Sequence, residues 1–273
     1  MTDTTIEIFV PVRNGGALLT ECIESILIQD DRDFTVTVMD NASTDDTPDR
    51  VTLLAKDDKR LKLMRSEDGV DLAGNFNRCI KAATQPYFAI VHADDRLKPQ
   101  FISGMKKAAT RFPEAWLIFC QGALINDTGD DITSVKNTAR RLIYKWRGPE
   151  LRGETGLKKL ASYNHLMAPC AIYRREALPD DLLFDGTYQY LVDQTFWLSV
   201  LLAGGTIGQS QDILYEHRIH GDQLSAFLRN AESTLAEIEQ FAPSLAGHIS
   251  ALKAWKRYGR MLSIRKKLST GSN

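Results

Sequence analysis

The chain has 273 residues, enough for one large domain or two small ones, and its 43% hydrophobic and 25% charged residues are the balance of an ordinary folded protein in water. A formal net charge of −1 supplies no global field toward nucleic acid or membrane, so nucleic acid is not an expected partner. The four cysteines (Cys22, Cys79, Cys120, Cys170) lack metal-finger or redox spacing, and no apolar run reaches the roughly 20 residues of a membrane span.

The start of the chain is polar before Ile6 and does not read as a signal peptide, which with the isolated thiols points to a cytoplasmic setting. Ile6–Val12 reads as a buried strand, Arg13-Asn14-Gly15-Gly16 as a tight loop, and Leu19, Cys22, Ile23 and Ile26 as one face of a helix. A second strand, Phe34–Met39, ends on Asp40, and Asp45, Asp46 and Pro48 open another helix. A short third strand covers Leu61–Met64. After the polar loop Ser66–Asp71, a helix presents Phe76, Cys79, Ile80 and Ala83 on its face. Tyr87–Val91 is a fourth apolar strand. It stops at His92-Ala93-Asp94-Asp95, and Pro99 opens a further helix.

Strand and helix alternate four times in these first ~110 residues, the pattern of a parallel sheet covered on both faces. Arg13-Asn14, Asp40 and Asp94-Asp95 then collect at one sheet edge, where open α/β sheets bind ligands. Adjacent Asp residues at a strand end suit a hard divalent cation shared with phosphate; they also suit a simple turn and helix cap.

Ala115–Gln121 reads as a fifth strand and Asn126–Leu151 as a basic, weakly patterned surface loop or lid. Pro169–Arg174 is another strand, Leu191–Ala203 a helix, and Thr206–Tyr215 the last strand, before His217 and His220. Asp193 shares a helical stripe with Phe196, Trp197, Val200 and Leu201, so it either caps the helix or points into a cleft. From Leu224 the chain is expected to be helical. Its last stretch, Ala251–Asn273, holds seven basic residues and no acid, with Trp255, Tyr258, Met261 and Leu262 interleaved: an exposed helix, or an interfacial one that touches anionic lipid.

Six segments in this order resemble family 2 glycosyltransferases of the GT-A fold. They are Val10–Asn14, the D-x-x-S-x-D-x-T run Asp40–Thr47, Leu72–Cys79, His92–Asp95, Val192-Asp193, and His220 with Gln223 and Ser225. The resemblance implies an α/β fold with a mostly parallel sheet flanked by helices. It divides the chain into a transferase domain, 1–223, and a helical C-terminal extension with a basic tail, 224–273. It also implies a site. Pro11, Arg13 and Asn14 would line a nucleotide, Asp40 would accept from the base N–H, and Asn75 would help hold the nucleotide. Asp94 would contact the ribose or the metal shell, Asp95 and His220 would bind Mn2+ or Mg2+, and Asp193 would be the general base. At Asp193 the resemblance favours base over cap.

The implied activity is metal-dependent, inverting transfer of one sugar from a nucleotide-sugar, UDP-linked by preference. The acceptor would be a hydroxyl of a glycan or lipid-linked acceptor, in surface polysaccharide assembly, at the inner face of a membrane if the basic helix touches lipid. Two departures bear on this. Val192 stands where the family has the first acid of a doublet, and His92 takes the first place of the acidic metal motif. The alternatives are a non-catalytic nucleotide-sugar-binding or scaffold protein and, further off, a nucleotidyltransferase, for which Arg13-Asn14-Gly15-Gly16 is only a partial phosphate loop.

Overall fold

The structure, a computed structural model, describes residues 4–133, 135–220 and 231–270. Gln223 and Ser225 of the late motif, and the expected domain boundary between 223 and 224, lie outside the described residues, as do the side chains from 264 onward.

Strands β1 (Ile6–Val12), β2 (Phe34–Asn41) and β4 (Tyr87–Ile90) are buried on both faces, as strands covered by helices on two sides must be. With β3 (Leu61–Ser66) they form the parallel half of the sheet, in the order β3-β2-β1-β4. Val12 lies level with Asp40, and Ile90 with Phe9, so the loops after β1, β2 and β4 emerge on one edge. The intervening helices are α1 (Gly16–Leu27), α2 (Thr47–Asp57) and α3 (Leu72–Ala82). Asp71 caps α3 by accepting the Gly74 N–H. The expected elements to this point are present, each shifted by a few residues at most.

The other half of the sheet is mixed. β8 (Ala171–Arg174) runs antiparallel to both β4 and β6 (Leu117–Ile125), and β6 pairs in parallel with the long β9 (Ile207–Arg218). A two-residue strand, β5 (Arg96–Leu97), precedes α4 (Phe101–Arg111) and pairs antiparallel with Tyr215-Glu216 of β9. This pair, too short to leave a periodicity, draws the Asp94-Asp95 turn against the end of β9.

The expected loop at Asn126–Leu151 instead holds, after a turn that follows β6, a helix α5 (Val135–Trp146) and a short strand β7 (Glu150–Leu151) on β9; a further helix, α6 (Gly153–Ser162), follows. Helix α5 is inside out. Its inward side is held by polar groups: the Tyr144 hydroxyl donates to the Phe119 carbonyl, and Arg147, just past the end of the helix, donates to Ser162 and to carbonyls of α6 and its end. Its outward positions include Val135, Leu142 and Trp146. An ordinary inward apolar stripe is missing, which is why the segment reads as weakly patterned.

Helix α7 (Val192–Leu202) is buried around most of its circumference, so the one-sided stripe expected for it is not what the structure has. Two C-terminal helices, α8 (Ala231–Phe241) and α9 (Ile249–Thr270), follow. They are tied to the sheet domain. Glu237 of α8 is buried and accepts the N–H groups of Gln189, Tyr190 and Leu191 just ahead of α7. His248 and Ser250 donate to Glu154 of α6. Trp255 of α9 is buried against α8, its indole donating to the Ile238 carbonyl. The apolar face of α9 is therefore occupied within the protein, and its exposed face is the basic one, Lys253, Lys256, Arg257 and Arg260. Among the described residues no helix is long and apolar enough to cross a membrane.

Candidate functional site

A cavity of about 690 Å³ opens at the edge where β1, β2 and β4 end. Its walls come from the β1–α1 loop (Pro11–Gly15), α3 (Leu72, Phe76), the turn after β4 (His92–Asp94), Arg140 of α5, Met167–Pro169, the start of α7 (Gln189–Asp193), and His217 and His220. Of the expected site residues, Pro11, Arg13, Asn14, Asp94, Asp193 and His220 line it. Asp40, Asn75 and Asp95 do not; each lies behind the wall.

The D-x-x-S-x-D-x-T run works as a clasp between loops. Asn14, at φ 56°, donates its N–H to Ser43 Oγ and accepts the Thr44 N–H with its side chain, both at 2.9 Å. Thr47 Oγ1 accepts the Gly15 N–H at 2.9 Å, and Asp45 accepts the Thr47 N–H. Asn41 holds the next loop by exchanging hydrogen bonds with both backbone groups of Val70. Asp40 is fully buried. Its Oδ1 accepts from the Ser43 N–H, while Oδ2 makes no hydrogen bond and has Arg65 Nε at 3.3 Å. A buried carboxylate oxygen without a hydrogen bond is costly unless a ligand supplies the donor. Asn75 Oδ1 accepts from Arg78, whose guanidinium also reaches toward the Asp40 carbonyl.

The two adjacent aspartates have opposite surroundings. Asp94 is partly exposed to the cavity and accepts from His220 Nε2 at 2.9 Å. Burial acts to raise its pKa, but the nearby His92 and the His220 hydrogen bond outweigh it and hold the carboxyl below its ordinary value. Asp95 is wholly buried. It accepts from the Tyr215 hydroxyl at 2.9 Å, from His217 Nδ1 at 3.1 Å and from the Arg218 N–H at 2.8 Å. These bonds tie Asp95 to the end of β9 and place it behind Asp94, away from the cavity surface. Ligand atoms of His92, Asp94 and Asp95 nevertheless lie within 4.8 Å of one another.

His217, which the sequence offers only as one of two histidines after the last strand, lines the cavity with Nδ1 fixed on Asp95. Burial acts to lower its pKa, but the charge and hydrogen bond of Asp95 raise it above the usual imidazole value. Arg218 is buried beneath the turn. Its guanidinium donates to the carbonyls of Asp94, Asn126 and Asp127 and pairs with Glu21 at 2.6 Å. The Phe76 ring lines the cavity and stacks on His92 at 6.0 Å between centroids; behind it the aromatic packing continues into Phe184 and Phe196.

Asp193 stands apart from this cluster, in the first turn of α7. Among the described residues no hydrogen bond reaches its carboxylate, and Leu191, not Asp193, occupies the cap position of the helix. Burial raises its pKa to about 6, tempered by the nearby His92. The cavity thus holds one carboxylate bonded to imidazole and a second that retains its proton to nearly neutral pH.

The Glycosyl transferase family 2 profile matches residues 7–182. An uncharacterized protein of Mycobacterium tuberculosis is 30% identical over 207 residues, which are 72% of this chain and 62% of that protein, so the match leaves more than a third of the relative uncovered. The fold resembles Staphylococcus aureus TarS 1–349 in complex with UDP-GlcNAc, with TM-score 0.73 at 18% identity over 93% of this chain and 71% of that one. It also resembles a Pyrobaculum calidifontis mannosyltransferase in complex with GDP-Man and Mn2+, with TM-score 0.65 at 17% identity over 100% of this chain and 77% of that one.

Proposed function

The chain belongs to glycosyl transferase family 2, and from that premise we propose that it transfers a single sugar, with inversion, from a nucleotide-sugar, UDP-linked by preference, to a hydroxyl of a glycan or lipid-linked acceptor. Surface polysaccharide assembly is the proposed setting. The observation that carries this reading is the division of carboxylates in one cavity: Asp94 bonded to His220, and Asp193 apart from them with a raised pKa.

The nucleotide lies along Pro11, Arg13 and Asn14, with Asp40 Oδ2 accepting from the base N–H. Asn75 supports that end indirectly through Arg78. Asp94 and His220 offer the oxygen and imidazole donors that suit Mn2+ or Mg2+, with His92 adjacent. An ion held there would offset the negative charge that develops on the leaving diphosphate. Asp95 positions the donors: it fixes the His217 ring and, through the Arg218 N–H, the turn that carries Asp94. Asp193 takes the proton from the acceptor hydroxyl as that oxygen attacks the anomeric carbon from the face opposite the diphosphate. The Phe76 ring, packed on Phe184 behind it, makes that side of the cavity apolar. In this reading residues 1–223 are the transferase domain and 224–273 a helical extension that braces α7 through Glu237.

A thermal-shift series with UDP, GDP and ATP, each with and without Mn2+ or Mg2+, tests the donor site. A ligand at a hundredfold excess over its dissociation constant stabilises the folded state by about 2.7 kcal/mol. The expected result is a shift that needs both UDP and the ion. No shift with any nucleotide would remove the assignment of the cavity. Val192 in the first place of the acidic doublet keeps one alternative alive, a binder without turnover; it predicts the same shift and no sugar transfer.

A further inference from the structure

The basic C-terminal helix reads from the sequence as exposed or as touching anionic lipid; in the structure Trp255 of α9 packs on α8, while Ile249 and Met261 of the same helix are exposed singly. Among the described residues, a stripe of strongly exposed apolar side chains lies on α5. Val135, Leu142 and Trp146 are spaced seven and four residues apart, which puts them within about 40° of one another on a helix of 3.6 residues per turn. They are 89%, 63% and 83% exposed. Ala139, also exposed, falls on the same stripe. Arg141 and Lys145 are exposed beside it. The segment Val135–Lys159 holds eight basic residues against two acids, Glu150 and Glu154, in a chain whose net charge is −1. An apolar stripe with Trp at one end and a basic margin is the composition of a helix that lies in the headgroup region of an anionic bilayer.

We propose that the outward face of α5 docks on an anionic lipid surface, with Val135, Leu142 and Trp146 inserted and Arg141 and Lys145 against the headgroups. The occupant is a bilayer and not an acidic protein groove because the basic excess extends well past the stripe, with Arg152 and Lys158 also exposed, as a broad charged plane requires. The inward face of the same helix carries Arg140 into the cavity wall. A bilayer on the outer face therefore lies about one helix diameter, roughly 10 Å, from the cavity. This inference concerns a surface outside the transfer site and stands whether or not sugar transfer is the activity.

The test is sedimentation of the full chain with vesicles of phosphatidylcholine alone and of phosphatidylcholine with phosphatidylglycerol, together with tryptophan emission. Binding to the anionic vesicles only, with a blue shift that Trp146→Phe removes, is expected, since Trp197 and Trp255 are buried and Trp116 is packed against the core. The triple variant Val135→Ser, Leu142→Ser, Trp146→Ser should bind at least about tenfold more weakly. Arg141→Gln with Lys145→Gln should weaken binding about fivefold per charge and flatten its salt dependence. All these positions are exposed, and an unchanged far-UV spectrum and melting temperature establish that the variants fold. Wild-type binding retained in the triple variant, or lost only when Lys253, Lys256, Arg257 and Arg260 are changed to Gln, would overturn the proposal. So would sedimentation of the wild type as a dimer that the triple variant dissociates, which would assign the stripe to a second copy of the chain.

Discussion

Asp193→Asn is expected to lower kcat by about two to four orders of magnitude, the usual contribution of a positioned general base, while donor binding stays unchanged. Single-turnover transfer and nucleotide titration read the two separately. Equal loss of both would show that Asp193 holds substrate and is not the base, and unchanged turnover would leave the chain without an assigned base. In the wild type, kcat/KM should rise with pH through about 6, where the carboxylate loses its proton, and then level off. The Asn variant should show no such rise.

The same substitution carries a second signature, in stability. The pKa of Asp193 is raised from an ordinary 3.8 to about 6 because burial disfavours its charged form. The stability this carboxyl gives is complete below the unfolded value and is lost as pH rises through the folded value. Above that window the folded chain carries a partly desolvated charge on the cavity wall, which costs on the order of 1–3 kcal/mol after allowance for its contact with solvent. Asp193→Asn should therefore melt several degrees higher than the wild type at pH 8, with the difference gone near pH 4. A variant that gains stability as it loses activity fits a functional carboxylate held at structural expense.

The second large effect separates the adjacent aspartates. Asp95→Asn puts an amide N–H₂ among three donors, from Tyr215, His217 and Arg218, and removes the charge they surround. Breaking a buried, hydrogen-bonded charge cluster from one side costs about 3–5 kcal/mol, so this variant should lose stability with or without ligand. Asp94→Asn, on a partly exposed side chain, should melt close to the wild type but lose the ion-dependent part of the UDP shift. Urea unfolding and the thermal-shift series decide between them. If Asp95→Asn keeps wild-type stability and alone abolishes the ion dependence, Asp95 is the ligand after all.

That contrast marks how far the sequence could be read. The apolar runs Ile6–Val12, Phe34–Met39 and Tyr87–Val91 announce buried parallel strands, because only a sheet covered on both faces needs them. The polar residues at their ends announce the edge where the cavity opens. The sequence does not tell which of two neighbouring aspartates turns inward, because that depends on β5 pairing with the end of β9, a contact between residues some 120 positions apart. It does not announce α5 either, because hydrophobic periodicity marks a helix by the face it buries, and α5 is held instead by the hydrogen bonds of Tyr144 and of Arg147 just past its end. His217 looked like any isolated histidine until the structure brought Asp95 to its ring.

The linkage between Asp95 and Arg218 has a consequence for the order in which the molecule assembles. Its two ends are 123 residues apart in the chain. Closing so long a loop is slow and entropically costly, so such contacts form only after local structure has shortened the path. The strands before β9 and the helices between them can condense first. The turn carrying Asp94 acquires its final shape only when β9 docks and Tyr215, His217 and Arg218 close around Asp95. An ion at Asp94 and His220 would therefore meet a chain whose sheet is already built, and would act as a late lock on the edge of the fold instead of a nucleus for it.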